Sequence, residues 1–411
     1  MPKIKAFYGI RPNPDYAGEI VLNIENLSLE EAKVIRQKNP YSYVNMLVPK
    51  LDNIYLRGSK DELAFQKINE NFEDFLDKGV LIRDVKQSIY IYRISREFRS
   101  QTGIWAVTSI DDYLNNVIKK HELTRPDRET VLINYMQQTG IDANPVLITY
   151  SSNPEINLII KRVCNLLPDL SFNQTDAKHE LWKIDNEDDV NALIVEFSKL
   201  SSTYIADGHH RASAASLLAI EQRKLNPKYT GDEEYNFSTS VYMASDQLDI
   251  YGFNRIVKDL NSLTSEGFLK NLSDNFHIIK FREVIMPSAI HEFGMYLDGS
   301  WYKLTAKLET YQTNSAVEEL DVSILQNYVL SPILNITDPT TDPRISFGGG
   351  ILPIDDLVKQ VDQKESAVVF TLFPTSIEQL TRVADAGEVM PPKSTWFEPK
   401  FQVGLLVRLI V

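Results

Sequence analysis

The stretch STYIADGHHRASAASLLAIEQRK, residues 202–224, sets two of the chain's six histidines side by side. Thr203 to Ala206 is a short β-branched and apolar run that reads as a buried strand. Asp207 and Gly208 are turn formers, and the residues from His209 onward favour helix, with small Ala and Ser in the first turns. The spacing therefore predicts a strand running through a tight turn into a helix. At a helix start the first N–H groups lack intrahelical acceptors, and the positive end of the dipole faces outward. An anion is drawn there, Gly208 lets it approach the backbone, and Asp207, His209, His210 and Arg211 surround it. A phosphate is the guest this pattern predicts. The plainer alternative is that Asp207 caps the helix and the histidines face solvent. A protein-held metal is not expected, because adjacent helical side chains diverge by about 100° and no His-x-x-x-His spacing occurs.

Outward from this stretch, short runs such as KAFYGI, EIVLNI, SIYIYRI, GIWAVTSI, PVLITY, TSVYMAS, FHIIKF and AVVFTLF read as strands. Between them SLEEAKVIRQKN opens with Ser28 and carries Glu31 three positions on, a capping-box pattern, and SKDELAFQKINENFEDFLDKG repeats apolar residues at helical spacing up to Gly79. The alternation lacks the strict rhythm of a doubly wound sheet and predicts an α+β, mixed α/β fold. At 411 residues the chain fits two or three packed units. A boundary near 245 separates a region 1–245, which holds the histidine pair, from an α+β region 246–411 with no role assigned. ITDPTTDPRISFGGG is read as the longest loop, with SFGGGI a turn or strand edge.

Hydrophobic residues at 43% and charged residues at 24% describe a globular chain. No apolar run approaches about eighteen residues and the first residues lack a secretory core, so the expectation is a cytoplasmic protein without membrane contact. The net charge of −13 disfavours nucleic acid. The lone Cys164 lies on an apolar helical face and reads as a structural thiol.

Three further groups carry chemistry. KKHELTRPDRE brings His121, Glu122, Thr124 and Arg128 into a proline-bearing loop. Near the N-terminus Arg11 follows a strand and Glu25 precedes the capped helix, which suits Arg11 to an anion and Glu25 to a proton. ADAGEVMPPKSTWFEPK contains Lys393, a point charge for a phosphate, without the glycine-rich lead-in of a Walker loop. Walker, dinucleotide, hydrolase-elbow and protein-kinase signatures are absent from the sequence.

Together, YIADGHHRASAA, GIRPN, NPYSYV, GVLIRD, KKHELTRPDR, WKIDN, RISF and ADAGEVMPPKSTWFEPK resemble the uncharacterised family marked by an Asp-Gly-His-His-Arg signature, in order from Gly9 to Lys400. That family is placed with the ParB and sulfiredoxin-like superfamily and is similar in its signature to free serine kinases. The resemblance implies a ParB/sulfiredoxin-like core in which Asp207, Gly208, His209, His210 and Arg211 hold nucleotide phosphates. The expected donor is ATP or ADP with Mg²⁺, the expected substrate is serine-like, and the chain is compatible with a homodimer. LNIENLS stands where many relatives have a proline-rich segment, so Glu25 occupies the place of an Asp. The resulting expectation is a small-molecule kinase acting on the hydroxyl of serine or a similar metabolite. Glu25, His121, Glu122 and His210 are its catalytic candidates, Lys393 joins the phosphate turn, and Arg11, Thr124 and Arg128 face the substrate. The alternatives are a nucleotide-binding regulator without turnover, or a phosphatase acting on a small phosphoester.

Overall fold

β-branched and aromatic residues settle on pleated, half-buried surfaces, and among the described residues they do so mainly in two large sheets, beside three two-stranded ones. The computed structural model describes residues 1–25, 27–47, 60–174 and 176–410. The chain divides into two compact units: Met1–Lys119, Thr124–Leu248 and Pro399–Val411 form the first, Lys120–Leu123 and Asp249–Glu398 the second. The sequence-based boundary at 245 falls beside the crossing at Leu248. The return of residues 399–411 to the first unit has no counterpart in that reading.

In the first unit the main sheet runs Ile118–Lys119, Thr203–Asp207, Val146–Tyr150, Phe237–Ala244, Arg99–Ser109, Ile89–Arg96, Ala177–Ile184, Leu170–Gln174. Two contacts are parallel, Thr203–Asp207 with Ile118–Lys119 and Phe237–Ala244 with Val146–Tyr150, and the other neighbours along the path are antiparallel. This is the mixed α+β class that the alternation predicts. Ile89, Ile91, Ile104, Ile148, Phe197 and Ile205 meet in its core. Each such side chain, once buried, contributes about 1.5–3 kcal/mol relative to exposure. A second cluster gathers Ile20, Tyr43, Phe72 and Phe75 with Val403 and Val407 from the C-terminal segment.

The capping box forms as read: the Ser28 hydroxyl accepts from the Glu31 N–H and the Glu31 carboxylate accepts from the Ser28 N–H. The long helix spans Lys60–Asp77, and Gly79 just beyond it has a φ of +67°. EIVLNI differs from its reading. Asn13 and Pro14 start a helical turn that continues as Ala17–Ile20, and the strand character shrinks to a single bridge between Leu22 and Val403. Packing of Ala17 and Ile20, both fully buried, overrides the local alternation.

The second unit's sheet is antiparallel throughout, in the order Phe276–Phe281, Ser300–Ala306, Glu292–Leu297, Val368–Leu372, Phe253–Val257, Ile345–Gly349. Ile345–Gly349 is its edge strand, so the tail of the expected loop pairs with Phe253–Val257. Leu357 and Val361 of the helix Ile354–Asp362 pack on Ile256, Tyr296 and Trp301.

Candidate functional site

The strand Thr203–Asp207 leads through Gly208 into the helix His209–Leu225, as the opening stretch predicts. The register with Val146–Tyr150 slips between Ile205 and Asp207, a bulge that re-aims Asp207 as the strand ends. Gly208 holds φ at +100°, and a Cβ there would come within 2.8 Å of the Arg211 guanidinium. The φ requires glycine, and a Cβ would also push the Arg211 guanidinium aside. Behind the turn, Ala212, Ala214, Ala215 and Ala219 are buried, so the small side chains let the helix lie close.

Arg211 is the frame of the turn rather than an outward donor. Its guanidinium donates to Asp207 Oδ2 at 3.0 Å, to Asn144 Oδ1 at 2.6 Å and to the Pro145 carbonyl. Lys400 Nζ lies 3.7 Å from Asp207 Oδ2 and 4.0 Å from Glu25 Oε1. Burial pushes the Asp207 carboxyl up, but Arg211, Lys400 and the Gly208 N–H outweigh it and hold the group below the usual carboxylate range. One ammonium thus stands between two carboxylates where the helix begins.

The two histidines part company. His209 is 3% exposed, whereas His210 is half-buried and its Nε2 accepts the Arg125 N–H at 3.0 Å. An accepting Nε2 places the proton of the neutral ring on Nδ1. Burial first, then Arg128, pushes His210 below its ordinary value, so near neutrality the ring offers one N–H and no charge. Beside it Glu129, 9% exposed, accepts from the Ser213 hydroxyl at 2.5 Å. The hydroxyls of Ser213 and Thr124 hold the Glu129 carboxyl below its usual range. Thr124 is therefore engaged with Glu129, one turn into the neighbouring helix Pro126–Thr139.

Arg11 does not join this corner: its Nε pairs with Asp84 Oδ1 at 3.3 Å, and Asp84 also accepts the Tyr90 hydroxyl at 2.7 Å. Arg128 is exposed on the first turn of Pro126–Thr139. His121, Glu122 and Lys393 belong to the second unit. His121 is 2% exposed, with its carbonyl accepting the Met390 N–H, and Glu122 is exposed. Lys393 has a φ of +58° and sets its ammonium 5.0 Å from the centroid of the Phe253 ring. Lys400, Asn144 and Glu129 are the residues that reading the sequence misses. Lys400 and Glu129 carry a signal there, as the last residues of ADAGEVMPPKSTWFEPK and KKHELTRPDRE. Among the described residues no group of three or more His, Cys, Asp or Glu could hold a metal ion. No helix among them is long and apolar enough to cross a membrane.

The arrangement defines a mixed α+β protein whose strand-turn-helix corner sets Arg211 and Lys400 beside Asp207. The chain belongs to the family described as protein of unknown function (DUF1015), which matches residues 4–323. No curated protein matches it. Among solved structures, a mutant free serine kinase in complex with AMP is 15% identical over 73% of this chain and 90% of that one, with a TM-score of 0.38. A mutant free serine kinase in complex with ADP is 16% identical over the same shares at 0.37. SbnI with a C-terminal truncation, from Staphylococcus aureus, is 12% identical over 74% of this chain and 87% of that one at 0.38.

Proposed function

We propose that the chain is a nucleotide-dependent small-molecule kinase that phosphorylates the hydroxyl of free serine or a similar metabolite. The observation that carries this reading is Lys400, set between Asp207 and Glu25 at the start of His209–Leu225. Phosphoryl transfer rests on positioning and charge neutralisation, which a ring of amides and an ammonium can supply. In this reading the N–H groups of His209, His210 and Arg211, with His210 Nδ1–H, hold the donor's phosphates. The substrate hydroxyl oxygen bonds to the terminal phosphorus as the bond to the leaving nucleotide oxygen breaks. Its proton passes to Glu25, Lys400 offsets the charge on the transferring group, and Arg128 steadies the substrate's anionic end. Magnesium binds mainly through phosphate oxygens with one or two carboxylates, and Glu25 and Asp207 are the carboxylates this corner presents. The reading uses residues of the first unit alone.

Incubation of the purified protein with serine and ATP or ADP, followed by mass spectrometry, is expected to yield phosphoserine. Lys400→Ala is expected to lower kcat by about 100-fold, the scale of losing one group that stabilises the transition state. Absence of product with either donor, for serine and for related hydroxy acids, removes the kinase reading. Nucleotide binding without turnover would instead mark a regulator, and phosphate release from phosphoserine without a donor would mark a phosphatase.

A further inference from the structure

Within the first unit a cavity of about 230 Å³ touches the turn through Arg211 and Asn144, and touches the segment before Glu25 through Ile24. Its walls include Phe65, Tyr135 and Met136. Small-molecule pockets begin at roughly 300 Å³, so this one suits a fragment of a ligand rather than a whole nucleotide.

The charged groups on its lining are committed. Asp142 accepts the Thr239 N–H at 2.9 Å and the Thr239 hydroxyl at 2.7 Å, and pairs with Arg408 at 3.2 Å. Arg211 is held by Asp207, Asn144 and the Pro145 carbonyl. An amino-acid zwitterion placed here would give up its hydration for walls whose ions are already answered. An aromatic guest meets a different surface. The Phe65 and Tyr135 rings stand edge to face, 6.4 Å apart, and a methionine thioether lies on the same wall. The guest must also reach the turn, because Arg211 borders the cavity and the helix start alike.

We propose that this cavity takes the base of a nucleotide whose phosphates reach the amides at the start of His209–Leu225. The inference rests on the donor nucleotide of the kinase reading and not on turnover, and it assigns the apolar cavity to donor rather than to serine-like substrate. Ala215, 8% exposed, and Val131, 67% exposed, both border the cavity, so larger side chains there fill it from inside and from the rim.

The test is calorimetric binding of ADP and of inorganic pyrophosphate to the full chain, to Ala215→Leu and to Val131→Phe, with melting curves to verify folding. Expected is at least a tenfold loss of ADP affinity in both variants, with pyrophosphate affinity unchanged. Unchanged ADP affinity in a folded variant overturns the inference while the kinase reading stands. The same holds if ADP binding survives and serine binding is lost, since the cavity then serves the substrate. Failure of the unsubstituted chain to bind either ADP or pyrophosphate overturns the kinase reading itself and the inference with it. Parallel titrations with GDP and CDP read which base the cavity prefers.

Discussion

Among the described residues each unit buries one arginine, and the two are answered differently. Arg408, 1% exposed in the first unit, donates to Glu234 Oε2 at 2.8 Å, to Asp142 Oδ2 at 3.2 Å and to the carbonyls of Glu234 and Phe237. Arg255, 3% exposed in the second, donates to the carbonyls of Phe253 and Lys393 and sits 5.3 Å from the Phe347 ring centroid. No carboxylate pairs with it among the described residues, and burial pushes its guanidinium down to about 9. Taking a charge out of water costs several kcal/mol, which an ion pair offsets better than carbonyl dipoles and a ring face do. Arg408 therefore ties distant segments together by charge. Arg255 fixes a turn whose carbonyl is aimed at it by the positive φ of Lys393.

The sharpest way to break this contrast is Arg408→Ala, which leaves Asp142, 11% exposed, and Glu234 without their cation. The expected loss is about 3–5 kcal/mol in urea unfolding, and a loss under about 1 kcal/mol would erase the distinction.

A base of the first unit answered by a neutral partner gives the next largest effect. His179 is stacked between Phe172 and Tyr92, its Nδ1 2.7 Å from the Tyr92 hydroxyl. Burial first, then Arg96, pushes its ring down to about 4 from 6.5. The folded chain then binds fewer protons than the unfolded chain between those values. Its contribution is complete above pH 6.5 and is lost as pH falls toward 4, up to about 3 kcal/mol. Unfolding at pH 7 and pH 4 should show this fall, and His179→Phe should make it shallower. Equal slopes would remove His179 as its source.

The smallest effect belongs to Arg255→Met. The uncompensated charge disappears while two carbonyls lose a donor, and the opposing changes should cancel to within about 1 kcal/mol. A loss as large as that of Arg408→Ala would mean that both arginines serve as anchors of one kind.

What the sequence discloses about the site is its local part. Strand, turn and helix over residues 202–224 follow from propensity and turn chemistry, and the Ser28 cap follows from spacing. The partners of those residues do not. Lys400 meets Asp207 across almost half the chain, Asn144 meets Arg211, and the Arg125 N–H meets His210 Nε2. Such pairings are made by tertiary packing, which carries no short-range signal. The same cause turns Arg11 toward Asp84, and makes a helix of Ala17–Ile20 where alternation suggests a strand.

The return of residues 399–411 to the first unit has a consequence for synthesis. Lys400, Val403 and Val407 leave the ribosome only after the whole of Asp249–Glu398. The second unit can therefore close on itself while the first still lacks its final strand and the ammonium that meets Asp207 and Glu25. Vectorial folding of this chain ends, rather than begins, at the domain encoded first.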